Sequence, residues 1–365
     1  MILDNQGFAY PSVDTSVCVD CHLCERVCPV INKYEPKEKP ISCYLSKTKN
    51  DGVRAESSSG GIFTEIATEV IRQGGIVFGA QFDKQWQVVY SFTEEIEGLA
   101  PFRGSKYIQA DTNDCYKNVE LFLRSNRLVL FCGTPCYVAG LKHYLRKDYS
   151  NLLTIDFVCH SIPSPLVWKL YMQDLEKKNG KTIKRVSFRD KSNGWSNYSL
   201  MLDFGDRQIV ESHFENLYMR GFSSDIFTRP SCSNCPARHF RSGSDITLAD
   251  AWAINNYHPE KNDEKGISHV LVNSQTGANW LRIIMGNIEA LSINYVEVEP
   301  TRMHLPLTAS CRPNPMRSFF YKGLNCGVSV SRMIELVLLI DQILHITKSA
   351  VKKILRLTYK RRNDK

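Results

Sequence analysis

The chain has 365 residues, 43% of them apolar and 23% charged, and a formal net charge of +8. These values are ordinary for a soluble globular protein of two or three domains, and they exclude disordered, collagen-like and coiled-coil chains. No apolar run approaches the roughly 20 residues of a membrane-spanning helix, and nothing at the N-terminus reads as a secretory signal.

The charge is uneven. Residues 347–365 hold eight basic residues and one acidic residue. The body is therefore nearly neutral, which argues against a nucleic-acid groove. Ile334 to Leu357 has apolar residues at helical spacing with the basic residues late, which reads first as a solvated terminal helix, with partner docking or weak contact with an anionic membrane surface as the alternatives. The thirteen cysteines are unusual. Without an export signal, a cytoplasmic location is expected, where cysteine clusters hold metal or do redox chemistry rather than form a disulfide framework.

In chain order, residues 1–40 read as a small metal-stapled module ending in a Lys- and Pro-rich linker, Asn32 to Pro40. Its core is Cys18-x2-Cys21-x2-Cys24-x3-Cys28-Pro29, the spacing of bacterial-type ferredoxins. Three thiolates two residues apart on a tight turn can each bind a different iron of one cube. Zinc sites generally use two separated cysteine pairs instead. In two-cluster ferredoxins the fourth cysteine of such a run serves the other cluster. Either these four cysteines serve one cube among themselves, or the first half of a ferredoxin module is absent.

From Ile41 the pattern becomes α/β. A first region, 41–125, holds a polar turn, Ser57 to Gly61, and a helical pattern from Ile62 to Ile71 that stops at Gly74-Gly75. Strands are expected at Ile76 to Ala80 and Val88 to Phe92. A second region, 126–325, opens with a βαβ unit: strand Leu128 to Phe131, helix Cys136 to Leu145, strand Leu152 to Val158. A helix-length crossover between two apolar strands implies a parallel pair. Ser164-Pro165 starts a further helix that ends at Asn179-Gly180. Strands follow at Val186 to Phe188, Tyr198 to Phe204, Gln208 to Val210, Ile246 to Ala249 and His269 to Val272, with a helix over Asn279 to Met285. Residues 326–365 form a helical basic tail, with one or two helices over 329–362.

The remaining grouped cysteines sit around the βαβ unit. Cys136 and Cys159 each lie just past the carboxyl end of a parallel strand, the edge where open α/β sheets bind ligands. Cys132 shares the first strand end. Cys232-x2-Cys235 adds a two-ligand clamp. Cys136, Cys159, Cys232 and Cys235 together would serve one cube or one zinc. The alternative is two buried structural cysteines and a separate redox pair or partial zinc site. Cys43, Cys115, Cys311 and Cys326 stand alone and read as small buried hydrophobes. Ser59-Gly60-Gly61 before a helix favours an anion, and Gly104-Ser105-Lys106-Tyr107 offers a cation, a hydroxyl and a ring; each is equally readable as an ordinary turn.

Taken in order, these segments resemble the coenzyme F420 hydrogenase/dehydrogenase beta-subunit family over about residues 8 to 320. The resemblance includes the ferredoxin run, Ser59-Gly60-Gly61, Gly104 to Tyr107, Gly133-Thr134-Pro135-Cys136, Asp156 to His160, Pro163 to Pro165, Phe188 to Lys191 with Gly194-Trp195, Cys232-x2-Cys235, and Asp245 to Thr247 with Asp250. It implies an α/β fold preceded by a small ferredoxin-like iron–sulfur module. It implies an iron–sulfur flavoprotein oxidoreductase that passes electrons between [4Fe-4S] clusters, one or two here, a flavin, FAD rather than FMN, and a hydride-carrying substrate such as coenzyme F420. Similar proteins occur among bacterial surface-polysaccharide genes. A redox partner protein or ferredoxin and a small-molecule hydride donor or acceptor are the implied partners.

By the same resemblance Cys136, Cys159, Cys232 and Cys235 ligate a core cluster, and Cys18, Cys21, Cys24 and Cys28 an N-terminal one. Ser59, Gly60, Gly61, Ser105, Lys106, Tyr107 and Thr134 become flavin-binding candidates. Arg189 and Lys191 would meet an acidic substrate or form a solvated basic strand edge, and His160 would tune the cluster or be structural. Relatives commonly carry two ferredoxin runs before the segment seen here as Gly7 to Pro11. Tyr137 stands where they have Gln, and Ser161 where they have Gly. The competing readings are a zinc-stabilised binding protein and a cluster-degenerate assembly partner that retains only the fold.

Overall fold

The computed structural model describes residues 1–298, 307–344 and 347. A short hairpin, β1 (Ile2–Leu3) and β2 (Ala9–Tyr10), leads into a single helical turn, α1 (Leu23–Arg26). Then come β3 (Ser42–Thr48), α2 (Asp51–Glu56), α3 (Ile62–Arg72), β4 (Ile76–Phe82), β5 (Val88–Thr93) and α4 (Cys115–Arg124). The βαβ unit is β6 (Val129–Gly133), α5 (Pro135–Leu145) and β7 (Leu152–Phe157), followed by α6 (Pro165–Asn179). β8 (Arg185–Asp190), β9 (Ser199–Asp203) and β10 (Gln208–Ser212) precede α7 (Leu217–Ser223) and β11 (Ile246–Asp250). The rest is α8 (Ile254–Tyr257), β12 (Ser268–Val272), α9 (Gln275–Ile284), β13 (Ile288–Ile293), α10 (Tyr295–Val298), α11 (Arg317–Asn325) and a helix over 330–344.

One eight-stranded sheet runs β13-β3-β12-β11-β7-β6-β4-β5. Its four inner strands β11, β7, β6 and β4 are mutually parallel, and antiparallel strands flank them on both sides. β8, β9 and β10 form a separate antiparallel sheet. The fold is thus α/β, with the expected parallel unit at its centre. Strands of 41–125 and of 126–325 alternate within the one sheet, so both regions share its core.

Alternation along the inner strands feeds two cores. Ile76 and Phe78 of β4 and Val129 and Phe131 of β6 face one side, packing with Trp168, Phe188, Tyr218 and Phe227. Val77, Leu130, Leu153 and Ile155 face the other, against α3 and α9 through Ile66, Val70, Trp280 and Leu281. Burial on both faces explains why these strands read as unbroken apolar runs.

Most boundaries follow local chemistry. Ser164 caps α6, its Oγ accepting from the Val167 amide at 3.2 Å, and Gly180 ends it at φ 66°. α9 begins at Gln275, four residues before the expected Asn279, because Ser274 caps it through the Gly277 amide. Gly277 lies so close to β11 that a Cβ there would stand 2.2 Å from the Asp245 carbonyl oxygen. The helix over 330–344 matches the start of the expected C-terminal helices; residues 348–365, with most of the basic tail, lie outside the described residues. Among the described residues no helix is long and apolar enough to cross a membrane.

Candidate functional site

The carboxyl ends of the parallel strands gather the grouped cysteines. β6 ends at Cys132-Gly133. Thr134 then turns the chain, and Pro135 opens α5 with its fixed φ, setting Cys136 in the helix's first turn. Cys159 follows the end of β7. Cys232 sits in a 3-10 turn, Pro230–Asn234, and Cys235 just beyond it. Cys136, Cys159, Cys232 and Cys235 line one cavity of about 40 Å³, together with Asp156, Ser161, Arg238 and Thr247.

Short-range contacts fix three of the four sulfurs. Thr134 Oγ1 lies 3.2 Å from Cys136 Sγ, and the Ile162 amide donates to Cys232 Sγ at 3.4 Å. The Cys159 thiol donates to the Ser161 carbonyl at 3.8 Å, while Arg238 holds the backbone there, Nη1 to Cys159 O at 2.6 Å and Nη2 to His160 O at 2.9 Å. Burial raises the Cys232 thiol to about 12 and raises Cys136 and Cys159 as well, with the neighbouring cysteines pushing Cys159 further. Deprotonating these three thiols together needs a metal's positive charge in the cavity. Among the described residues no three His, Cys, Asp or Glu side chains converge on one ion. A cube does not need that, since each thiolate binds its own iron.

Two donors on the cavity wall bear on whether a cluster fits. Ser161 is buried and its Oγ has no hydrogen-bond partner among the described residues. Arg238 pulls the Cys159 thiol down, against the general rise. The donor set is thus four soft ligands, a cation and an orphaned hydroxyl, which suits an anionic iron–sulfur group.

The N-terminal run is arranged differently. Cys18, Cys21 and Cys24 are exposed and Cys28 is half-buried. The segment around them has one helical turn and no strand. Its two ends are anchored beside the core cavity. Upstream, Arg229 donates from Nη2 to Ala9 O at 2.9 Å and lies 4.3 Å over the Tyr10 ring, while its own carbonyl accepts from the Cys232 amide. Downstream, Tyr34 stacks on His143 of α5 at 4.4 Å, and the Lys37 amide donates to His239 O.

The two loops offered for a flavin touch each other. Ser58 Oγ accepts from the Ser105 amide at 2.7 Å and lies 2.9 Å from Ser105 Oγ. Ser59 Oγ donates to Ile267 O, and the Gly60 amide to Ser268 Oγ, so these groups clamp the loop to β12. Gly61 takes φ 82° and opens α3. Tyr107 accepts at its carbonyl from Tyr218 Oη, and its ring stacks on Phe222 at 5.0 Å. Lys106 is the open group. It keeps some solvent exposure, but its ammonium lies in dense protein and donates only to the carbonyls of Arg103 and Gly104. Burial lowers its pKa to about 7, and no acidic side chain pairs with it among the described residues. A lysine held this way fits the phosphate or anionic ring of a flavin.

Other sequence candidates have structural partners. Arg189 is buried and paired with Asp250, and Lys191 Nζ donates to the carbonyls of Arg54 and Lys265. Neither forms a solvated basic strand edge, because β8 packs inward against the main sheet. His160 turns its ring to Asp225 at 2.9 Å. Cys43 and Cys115 are buried as expected, whereas Cys326 is exposed and Cys311 half-buried beside Cys232 and Cys235. Tyr137, in place of Gln, donates to Ala110 O at 2.6 Å. Asp156, Ser161 and Arg238 went unrecognised as cavity residues. Asp156 lies inside the matched Asp156 to His160 segment and Ser161 was marked only as a departure from the family pattern, but nothing in the sequence marks Arg238.

Residues 126–295 match the family model for the C-terminal part of the coenzyme F420 hydrogenase/dehydrogenase beta chain. Over these residues the chain is similar to that family. The matched segment contains Cys136, Cys159, Cys232 and Cys235. A chain of the F420-reducing [NiFe] hydrogenase complex from Methanosarcina barkeri shares the fold, with a TM-score of 0.52 at 16% identity. The likeness covers 74% of this chain and 87% of that one. No curated protein matches the sequence. The match points to an oxidoreductase of the hydrogenase/dehydrogenase type.

Proposed function

We propose that the chain is an iron–sulfur flavoprotein that moves electrons between a core [4Fe-4S] cluster, a flavin and a hydride-carrying substrate of the coenzyme F420 type. The observation behind this reading is the meeting of Cys136, Cys159, Cys232 and Cys235 around one cavity at the carboxyl edge of the parallel strands. A cluster there would supply one-electron transfer, and a flavin would convert between one- and two-electron steps.

The chain's own residues supply binding and charge. The four thiolates hold the cluster, and Arg238 offsets their charge from the cavity wall. Lys106 offers its ammonium to an anionic group, and the Ser58–Ser105 contact fixes the loop that presents it. The anchoring of Tyr10 and Tyr34 beside the core site supports a relay role for the Cys18 to Cys28 run, toward a redox partner protein. A cytoplasmic location accords with this thiol chemistry. The zinc alternative uses the same four cysteines, closed around a single ion.

Anaerobic purification with iron, sulfide, zinc and flavin quantified per chain tests the reading. About four irons with matching sulfide are expected for the core cube alone and about eight if the N-terminal run is loaded, with bound flavin in either case. Colourless protein with zinc and no flavin overturns it.

A further inference from the structure

The cavity wall holds one polar group that the fold leaves unused. Ser161 is 7% exposed, lines the cavity beside Cys159 and Cys232, and has no hydrogen-bond partner for Oγ among the described residues. Burying a hydroxyl without a partner costs roughly 1–3 kcal/mol, so an unmatched serine here is disfavoured unless an acceptor occupies the cavity. Its backbone is held in place: Arg238 Nη2 donates to the preceding carbonyl, His160 O, at 2.9 Å, and the next amide, Ile162, donates to Cys232 Sγ at 3.4 Å. The backbone that carries the hydroxyl is therefore held at both neighbouring residues, on the cavity wall shared with Cys159 and Cys232.

We propose that Ser161 donates an O–H···S hydrogen bond to the core cluster, at a bridging sulfide or a ligand thiolate, and thereby raises its reduction potential. The inference rests on the cluster reading above and deepens it. Hydrogen bonds to cluster sulfurs are among the determinants of potential. Adding one electron makes the cluster more negative, so a donor stabilises the reduced state more than the oxidised one. No proton is transferred, and the electron comes from the external reductant. A glycine at this position would leave the sulfur without that donor.

The test compares wild type with Ser161→Ala and Ser161→Gly, each purified anaerobically with iron and sulfide quantified. Midpoint potentials come from dye-mediated titration, and deuterium couplings from pulsed paramagnetic resonance of the reduced protein after exchange into D2O. Both variants should keep their iron. They should shift the reduced-to-oxidised ratio at fixed potential three- to tenfold toward oxidised, a fall of about 28 to 59 mV for a one-electron couple. The strongest exchangeable deuterium coupling should disappear in both. Ser161→Thr, which keeps the hydroxyl, should restore the coupling and most of the potential. Loaded variants with unchanged potential and unchanged coupling overturn this inference alone. A wild type that binds no iron and sulfide overturns the reading beneath it and this inference together.

Discussion

Arg189 reaches from β8 to Asp250 at the end of β11, Nη1 donating to Oδ2 at 2.9 Å and Nη2 to Oδ1 at 3.1 Å. The same guanidinium donates to Ser58 O and to Tyr107 Oη, and it lies 4.0 Å over the Tyr198 ring. One side chain thus ties the small sheet to the main sheet and to both loops of the flavin candidate. Arg189→Met leaves Asp250 without its cation and should cost about 3–5 kcal/mol. The double change Arg189→Met with Asp250→Leu should recover part of that loss in urea unfolding. Arg189→Lys should rescue poorly, because an ammonium cannot reproduce the two-pronged geometry. If all three variants unfold at the wild-type midpoint, the pair is not the tie described.

Lys106 gives a pH signature. Burial lowers its pKa from 10.5 to about 7 in the fold. Below 7 both folded and unfolded chains carry the charge, and the cost of burying it is fully present. Between 7 and about 10 the unfolded chain binds a proton that the folded chain does not, so stability rises with pH there. Lys191, lowered to about 8, adds in the same direction at higher pH. Melting temperatures of flavin-free protein should therefore climb from pH 6.5 to 8.5, less steeply in Lys106→Met. Bound flavin, by pairing with the ammonium, should flatten the wild-type slope. Parallel curves for wild type and variant would remove Lys106 from the account.

Legibility in the sequence followed the strength of local signals. β4, β6, β7, β11 and β12 were readable because burial on both faces leaves few polar residues in them. β3, Ser42 to Thr48, alternates Ser, Tyr, Ser and Thr with Cys, Leu and Lys, and so drew no strand expectation although it lies inside the sheet. β13 has a largely exposed face as the edge strand and gave no strong apolar period. The four core cysteines were readable as a set only because two of them follow strand ends. Arg238 was not, since a lone Arg has no spacing to betray it, and Ser161 stood out only as a departure from the family pattern, not as a cavity residue. Arg189 and Lys191 misled for the opposite reason: two neighbouring cations imply solvent, and here Asp250 and three carbonyls receive them.

The N-terminal arm depends on a glycine. Gly7 takes φ 83°, and a Cβ built there would stand 2.4 Å from Leu166 Cβ and 2.9 Å from its backbone nitrogen. The adjacent Phe8 is fully buried, and Ser164 Oγ donates to Gln6 O at 2.5 Å. Gly7→Ala meets both a strained dihedral and a backbone clash. It should release residues 1–10 from α6 at a cost of about 1–3 kcal/mol. Hydrogen exchange of the 4–10 amides should accelerate while that of β6 and β7 holds. Unchanged protection at Phe8 would show that the arm tolerates the clash.

The Cys18 to Cys28 run poses the last question, because exposure distinguishes it from the core set. A cluster held by exposed thiolates on one helical turn has few buried contacts to secure it. Cys18→Ser with Cys21→Ser should therefore lower iron by about half in fully loaded protein, without moving the melting temperature by more than a degree or two. Cys159→Ser with Cys232→Ser, inside the cavity, should remove the core cluster and lower the melting temperature markedly. The two double variants also separate relay from core. If the run passes electrons outward, the first variant should still reduce its flavin with a small hydride donor, while electron transfer to a protein acceptor should fall at least tenfold. Undiminished transfer to that acceptor would make the run vestigial and leave the core cavity as the sole electron site.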